Sequence, residues 1–231
     1  KKDAVAIGAK NQDKNNMPLH KTINFSRNIG STTQIFVWKI TETYGELFDE
    51  VALNDSSLIR LGGMKSELHQ RGFLSVRKLL QEAGYNDFDL YYNEFGKPHL
   101  KDGKHISITH SYEFSAIIVS DHTVGIDIEL QREKIIKIAS KFNDDDFHFL
   151  KVDKKEEYIR KLTVIWGAKE SIFKIRNERG ISFKEHIKVR AFEIEDTLAA
   201  AELHFDAIVK DFEIYFEEIE NFILVYAYEK Q

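Results

Sequence analysis

Val124-Gly125-Ile126-Asp127-Ile128-Glu129 and, further on, Trp166-Gly167-Ala168-Lys169-Glu170-Ser171-Ile172-Phe173-Lys174 are the stretches on which the reading of this chain turns. The first reads as a strand and the second as a helix. Asp127 and Glu129 are two apart, so on a strand both carboxylates share one face, with Ile126 and Ile128 on the other. Like charges side by side raise a pKa or demand a cation. In a strand set among apolar strands the cation is the better answer. Oxygen donors with no His or Cys nearby suit Mg²⁺, which commonly binds through one or two carboxylates plus substrate phosphates. An acidic strand edge facing water is the bland alternative, and for so short a motif taken alone it is the commoner one.

The helix changes that balance. Tyr158, Ile159, Leu162, Ile165, Trp166, Ile172 and Phe173 form one apolar stripe at helical spacing. Lys169 falls near the middle of the stripe and needs a partner, either the strand carboxylates or a ligand phosphate. Glu170 and Lys174 are i, i+4 at the stripe's edge, where a plain surface ion pair would also serve. His110 closes Ile106-Ser107-Ile108-Thr109-His110 at a strand end and could meet a phosphate, although a lone histidine is more often structural. Lys97-Pro98 places a cation on a rigid turn, alone an ordinary loop.

The 231 residues carry 42% hydrophobic and 31% charged side chains, an ordinary soluble composition with enough chain for a real core. A net charge of −5 gives no case for nonspecific nucleic-acid binding. There is no cysteine, which excludes disulfides, thiolate metal sites and a cysteine nucleophile, and suits a cytoplasmic location. No apolar run approaches the roughly 20 residues of a membrane span. Residues 1–16 are polar and without aromatics, and Met17 reads as the native start, with the preceding residues a leader or flexible tail.

From there a strand is expected over 34–40, a short helix capped by Thr41 or Thr43, and a helix over 65–83 stopped by Gly84. That helix should bury Leu68, Gly72, Val76 and Leu79 and expose Lys65, His69, Arg71, Arg77 and Lys78. A short strand over 88–92 leads into a turn at 93–98. Strands over 105–110, 114–120 and 124–130, joined by three or four residues, favour an antiparallel meander. Helices over 133–141 and 156–175 follow, then strands over 186–194, 200–207, 212–216 and 222–228. The class is α+β, with halves at 17–103 and 104–231.

Gly96-Lys97-Pro98, Ile108-Thr109-His110-Ser111, Gly125-Ile126-Asp127-Ile128-Glu129 and Trp166-x-x-Lys169-Glu170-Ser171-x-x-Lys174, in this order, resemble the Sfp-type 4′-phosphopantetheinyl transferases. The last two signatures, about forty residues apart, are specific together where neither alone decides. The resemblance implies two similar α+β halves in a pseudo-twofold arrangement, binding coenzyme A in the cleft between them. It implies transfer of the phosphopantetheine arm to a serine of an apo acyl or peptidyl carrier protein, with release of 3′,5′-ADP. Asp127, Glu129 and Glu170 would surround Mg²⁺, Glu170 would be the base toward the serine, and Lys174 would stabilise or protonate the leaving phosphate. Lys97, Pro98, Thr109 and His110 would line the nucleotide, with Lys65 and Arg71 as phosphate contacts from the first-half helix. Where relatives often carry Phe-x-x-x-Glu, this chain has Phe142-Asn143-Asp144-Asp145-Asp146, so Asp146 is the candidate further ligand. The pathway served, fatty acid, polyketide or nonribosomal peptide, is not specified. Two fused halves need no partner copy, so a monomer is expected.

Two rival readings stand beside this one. A metal-dependent nuclease also sets acidic strand residues before a Glu-x-Lys motif, but here the second motif is Lys-Glu on a helix. A catalytically silent module that binds coenzyme A or carrier is the other, and the intact Asp127, Glu129, Glu170 and Lys174 speak against it.

Overall fold

The computed structural model describes residues 19–25, 32–143, 150 and 153–230. The expected leader, Met17 and Asp146 lie outside these. The chain divides into two compact units, Lys1–His122 and Thr123–Gln231.

In the first unit, strands β1 (Leu19–Phe25), β2 (Thr33–Lys39), β5 (His105–Ser111) and β6 (Phe114–Ser120) form an antiparallel sheet in the order β1-β2-β6-β5. Helix α1 (Tyr44–Asp49) starts at Thr43, whose hydroxyl accepts from the Glu46 N–H while the Glu46 carboxylate accepts from the Thr43 N–H. Helix α2 (Asp55–Gly62) is not among the expected elements; Asn54 caps it. Helix α3 (Glu67–Glu82) packs Phe73, Val76, Leu79 and Leu80 into a core with Phe36, Trp38, Ile117 and Val119. Gly84, at φ +84°, ends it as read. Strands β3 (Leu90–Tyr92) and β4 (Pro98–Leu100) make a small hairpin around the expected turn.

The second unit holds β7 (Val124–Leu130), helices α4 (Lys134–Phe142) and α5 (Lys155–Arg176), and strands β8 (Ile187–Val189), β9 (Leu198–Phe205), β10 (Ile208–Ile219) and β11 (Phe222–Glu229). Its sheet runs β7-β11-β10-β9-β8, antiparallel throughout. On β10, Phe212, Ile214 and Phe216 alternate inward and meet Leu162, Ile165, Ala168 and Ile172 of α5. Ile223, Val225 and Ala227 of β11 belong to the same core. No helix among the described residues is long and apolar enough to cross a membrane.

Three expectations are corrected. The meander stops at β6: β7 pairs with β11, so β5 and β6 complete the first sheet and the boundary falls after His122, not at 103. A three-residue link fixes how far the chain can travel, not which sheet it joins. On α3, Leu68 is exposed, whereas Arg77 is buried, with its guanidinium 3.0 Å from Oδ1 of Asp87 and stacked over the Phe73 ring. Asp87 also accepts from the Asn54 N–H and the Ser57 hydroxyl, so this buried charge ties α2 to α3. The strand expected over 186–194 is short, and Ile194–Asp196 forms a 3₁₀ turn.

Candidate active site

Register places the acidic pair. In the β7–β11 ladder Gly125 faces Ala227, Asp127 faces Val225 and Glu129 faces Ile223. Those β11 residues lie in the core beneath α5, so Gly125, Asp127 and Glu129 project toward the helix. Ile126 and Ile128 take the opposite face, as the alternation requires.

The helix lies unusually close. A Cβ on Gly125 would stand 2.0 Å from the Ser171 carbonyl oxygen, and one on Gly167 would stand 2.7 Å from Cγ2 of Val225. Neither glycine needs a special φ; each supplies room for the approach of helix to strand. With the helix at that depth, Lys174 reaches β7. Its Nζ donates to the Ile126 carbonyl at 2.8 Å and to Oδ1 of Asp127 at 2.9 Å. Lys174 therefore crosses to the strand as well as lying one turn beyond Glu170.

Asp127 is only 5% exposed. Burial first, and then the charge of Asp127, push both Glu129 and Glu170 up to about 7. For Glu129 the Glu170 charge adds to the rise, while a hydrogen bond from Trp166 and the Lys174 charge oppose it. The three carboxylates and Lys174 thus lie within one another's fields in a half-dry setting. Such an all-oxygen, mutually repelling set fits a hard divalent cation. Among the described residues no three His, Asp or Glu side chains stand in a ready ligating geometry. The donor chemistry fits, and a cation would have to gather it.

Other expected site residues are placed differently. Lys169 is buried, as read, and its Nζ donates to two backbone carbonyls, those of Phe142 and Phe183, at 2.6 Å each. The guanidinium of Arg71 donates to the carbonyls of Glu42, at 2.7 Å, and Ile40, at 3.3 Å, stapling the segment before α1 to α3. Both cations meet carbonyls of segments distant in sequence, since a donor taken out of water needs an acceptor.

In the first unit, Lys65 is exposed just before α3. Lys97 is half-buried behind Gly96, with its own N–H on Oδ1 of Asn93, and Pro98 opens β4. Thr109 is buried on β5. His110 is exposed, its ring seated over Gly72 and 6.2 Å from the ring of His69. From sequence, His69 is no more than part of the outer face of α3.

Sequence periodicity assigns Trp166 to the apolar stripe and misses its second role. Its indole N–H donates to Oε1 of Glu129 at 3.2 Å. A signal was available, since a buried indole N–H requires an acceptor.

Comparison with known proteins bears on the same stretch. Residues 123–227 match the family model described as the 4′-phosphopantetheinyl transferase superfamily. Over 107 residues the chain is 34% identical to "4'-phosphopantetheinyl transferase gsp" of Aneurinibacillus migulanus. That alignment covers 45% of this chain and 45% of the relative, so under half of either is compared. Asp127 and Glu129 on β7 and Glu170 and Lys174 on α5 all lie in the stretch of the second unit that matches the 4′-phosphopantetheinyl transferase superfamily model.

Proposed function

We propose that the protein transfers the 4′-phosphopantetheine arm of coenzyme A to a serine of an apo acyl or peptidyl carrier protein, releasing 3′,5′-ADP, in a Mg²⁺-dependent reaction of the holo-carrier-protein synthase type. The observation that carries this reading is the convergence of Asp127, Glu129, Glu170 and Lys174 within the family-matched domain. The two units are read as the related halves of a pseudo-twofold pair acting as a monomer in the cytoplasm.

Asp127, Glu129 and Glu170 would hold Mg²⁺, with Asp146 as a further candidate ligand. When bound, Mg²⁺ neutralises pyrophosphate oxygens and stabilises the charge of the leaving group. Glu170, when ionised, takes the proton from the carrier serine. The serine oxygen then forms its bond to the β-phosphorus while the bond from that phosphorus to the bridging oxygen breaks. The departing 3′,5′-ADP carries away the electron pair, and Lys174 meets its developing charge. Lys65, Lys97, Pro98, Thr109 and His110 are proposed to line the nucleotide. Arg71 and Lys169 are proposed to contact coenzyme A as well, while their bonds to backbone carbonyls anchor the elements around them.

The test is mass spectrometry of an apo acyl carrier protein incubated with this protein, coenzyme A and Mg²⁺. A gain of one phosphopantetheine that chelation abolishes is expected. Coenzyme A binding without transfer to a panel of acyl and peptidyl carriers would overturn the enzymatic reading in favour of a silent binding module.

A further inference from the structure

Glu129 ends the acidic face of β7 beside two like charges, Asp127 and Glu170. It lines a cavity of about 170 Å³ together with Arg132, Lys134, Ile135 and Trp166. The same lining carries two cationic side chains, Arg132 and Lys134. The indole N–H of Trp166, which lines the same cavity, donates to Oε1 of Glu129 at 3.2 Å.

The indole is itself held. Phe142, the last residue of α4, meets it edge-on with ring centroids 5.1 Å apart and planes at 70°. Phe183 packs at 5.5 Å and 56°, and is backed by Phe173 at 5.6 Å. The same two residues, Phe142 and Phe183, supply the carbonyls that take the Lys169 ammonium at 2.6 Å each. Lys169 thus joins the backbone of both walls of the slot in which Trp166 stands.

We infer that Trp166, held between Phe142 and Phe183, is the positioning residue for Glu129. The inference rests on the metal-dependent reading above, with Glu129 as a ligand. A hydrogen-bonded outer partner fixes the orientation of a ligating carboxylate, and its loss typically costs about 10- to 100-fold in metal affinity. Trp166→Phe removes the N–H and keeps a ring in the slot.

Mn²⁺ binding is followed by the electron paramagnetic resonance signal of the free ion in wild type, Trp166→Phe, Glu129→Asp and the double variant. Trp166→Phe is expected to weaken Mn²⁺ binding about 10- to 100-fold. Glu129→Asp shortens the side chain and takes its carboxylate out of the indole's reach, so Trp166→Phe is expected to add little in that background. Trp166→Phe binding Mn²⁺ as tightly as wild type, or the two losses multiplying as independent effects do, overturns the positioning role and leaves the metal reading standing. If wild type takes up no Mn²⁺, the metal reading itself fails and the inference falls with it. A second readout needs no catalysis. The chain has two tryptophans, so in Trp38→Phe the emission of Trp166 reports the contact directly and is expected to change saturably with Mn²⁺. A flat response while Mn²⁺ binds also overturns the inference.

Discussion

Glu129 and Glu170 are alike in kind and in burial, and each is pushed up to about 7 by the same leading causes. Their neighbours divide the work. Glu129 accepts the Trp166 N–H and is steadied by it, whereas Glu170 stands on α5 one turn before the lysine that crosses to Asp127. A base must lose its proton to act, so Glu170→Gln is expected to lower turnover by about 10²- to 10⁴-fold while changing coenzyme A affinity much less. Steady-state kinetics beside calorimetric titration check this, and equal losses in both would make Glu170 a binding group only. At this scale the sequence was informative where geometry is local. Asp127 and Glu129 share a face because strands alternate, and Lys169 needed a partner because it fell inside the apolar stripe. The identity of that partner was not legible. Phe142 and Phe183 come from other segments, and only the folded chain brings their carbonyls to one ammonium.

At the scale of elements, the decisive contact is α5 on β7 and β11. Gly125 and Gly167 allow the helix to lie deep enough for Lys174 to reach the strand. Gly125→Ala places a methyl group against the Ser171 carbonyl, which α5 can relieve only by lifting. The variant is expected to lose about 1–3 kcal/mol of stability, the usual cost of overpacking, measured by urea denaturation, and to weaken metal binding as well. Unchanged stability would mean that the helix is not held at this depth. The helices and most strands were readable from their period and caps: Thr43 and Gly84 act where expected. Sheet membership was not, because a short link is compatible with leaving a sheet as well as with continuing it. Helix α2 escaped notice because its eight residues are mostly exposed and its anchor is the Asn54–Asp87 contact, distant in sequence.

For the whole molecule, burying two raised carboxyls ties stability to pH. The unfolded chain releases these protons near 4.5 and the folded chain near 7. Between those values the folded state holds more protons, so this contribution is fully present below about pH 4.5 and is lost as pH rises through about 7. Urea midpoints measured in chelator are therefore expected to fall across that window more steeply for wild type than for Glu129→Gln/Glu170→Gln. Parallel profiles for the two proteins would contradict the buried, like-charged arrangement. The halves themselves were legible as two α+β portions, but their boundary was not, since nothing local marks β6 as the last strand of its sheet. The departure of β7 to pair with β11 has a consequence for synthesis. The acidic strand emerges from the ribosome roughly a hundred residues ahead of its ladder partner, and contacts that distant in sequence form late. A nascent chain therefore has its carboxylates made before their ladder partner exists, and the sheet that carries the centre is complete only after residues 222–229 have been translated.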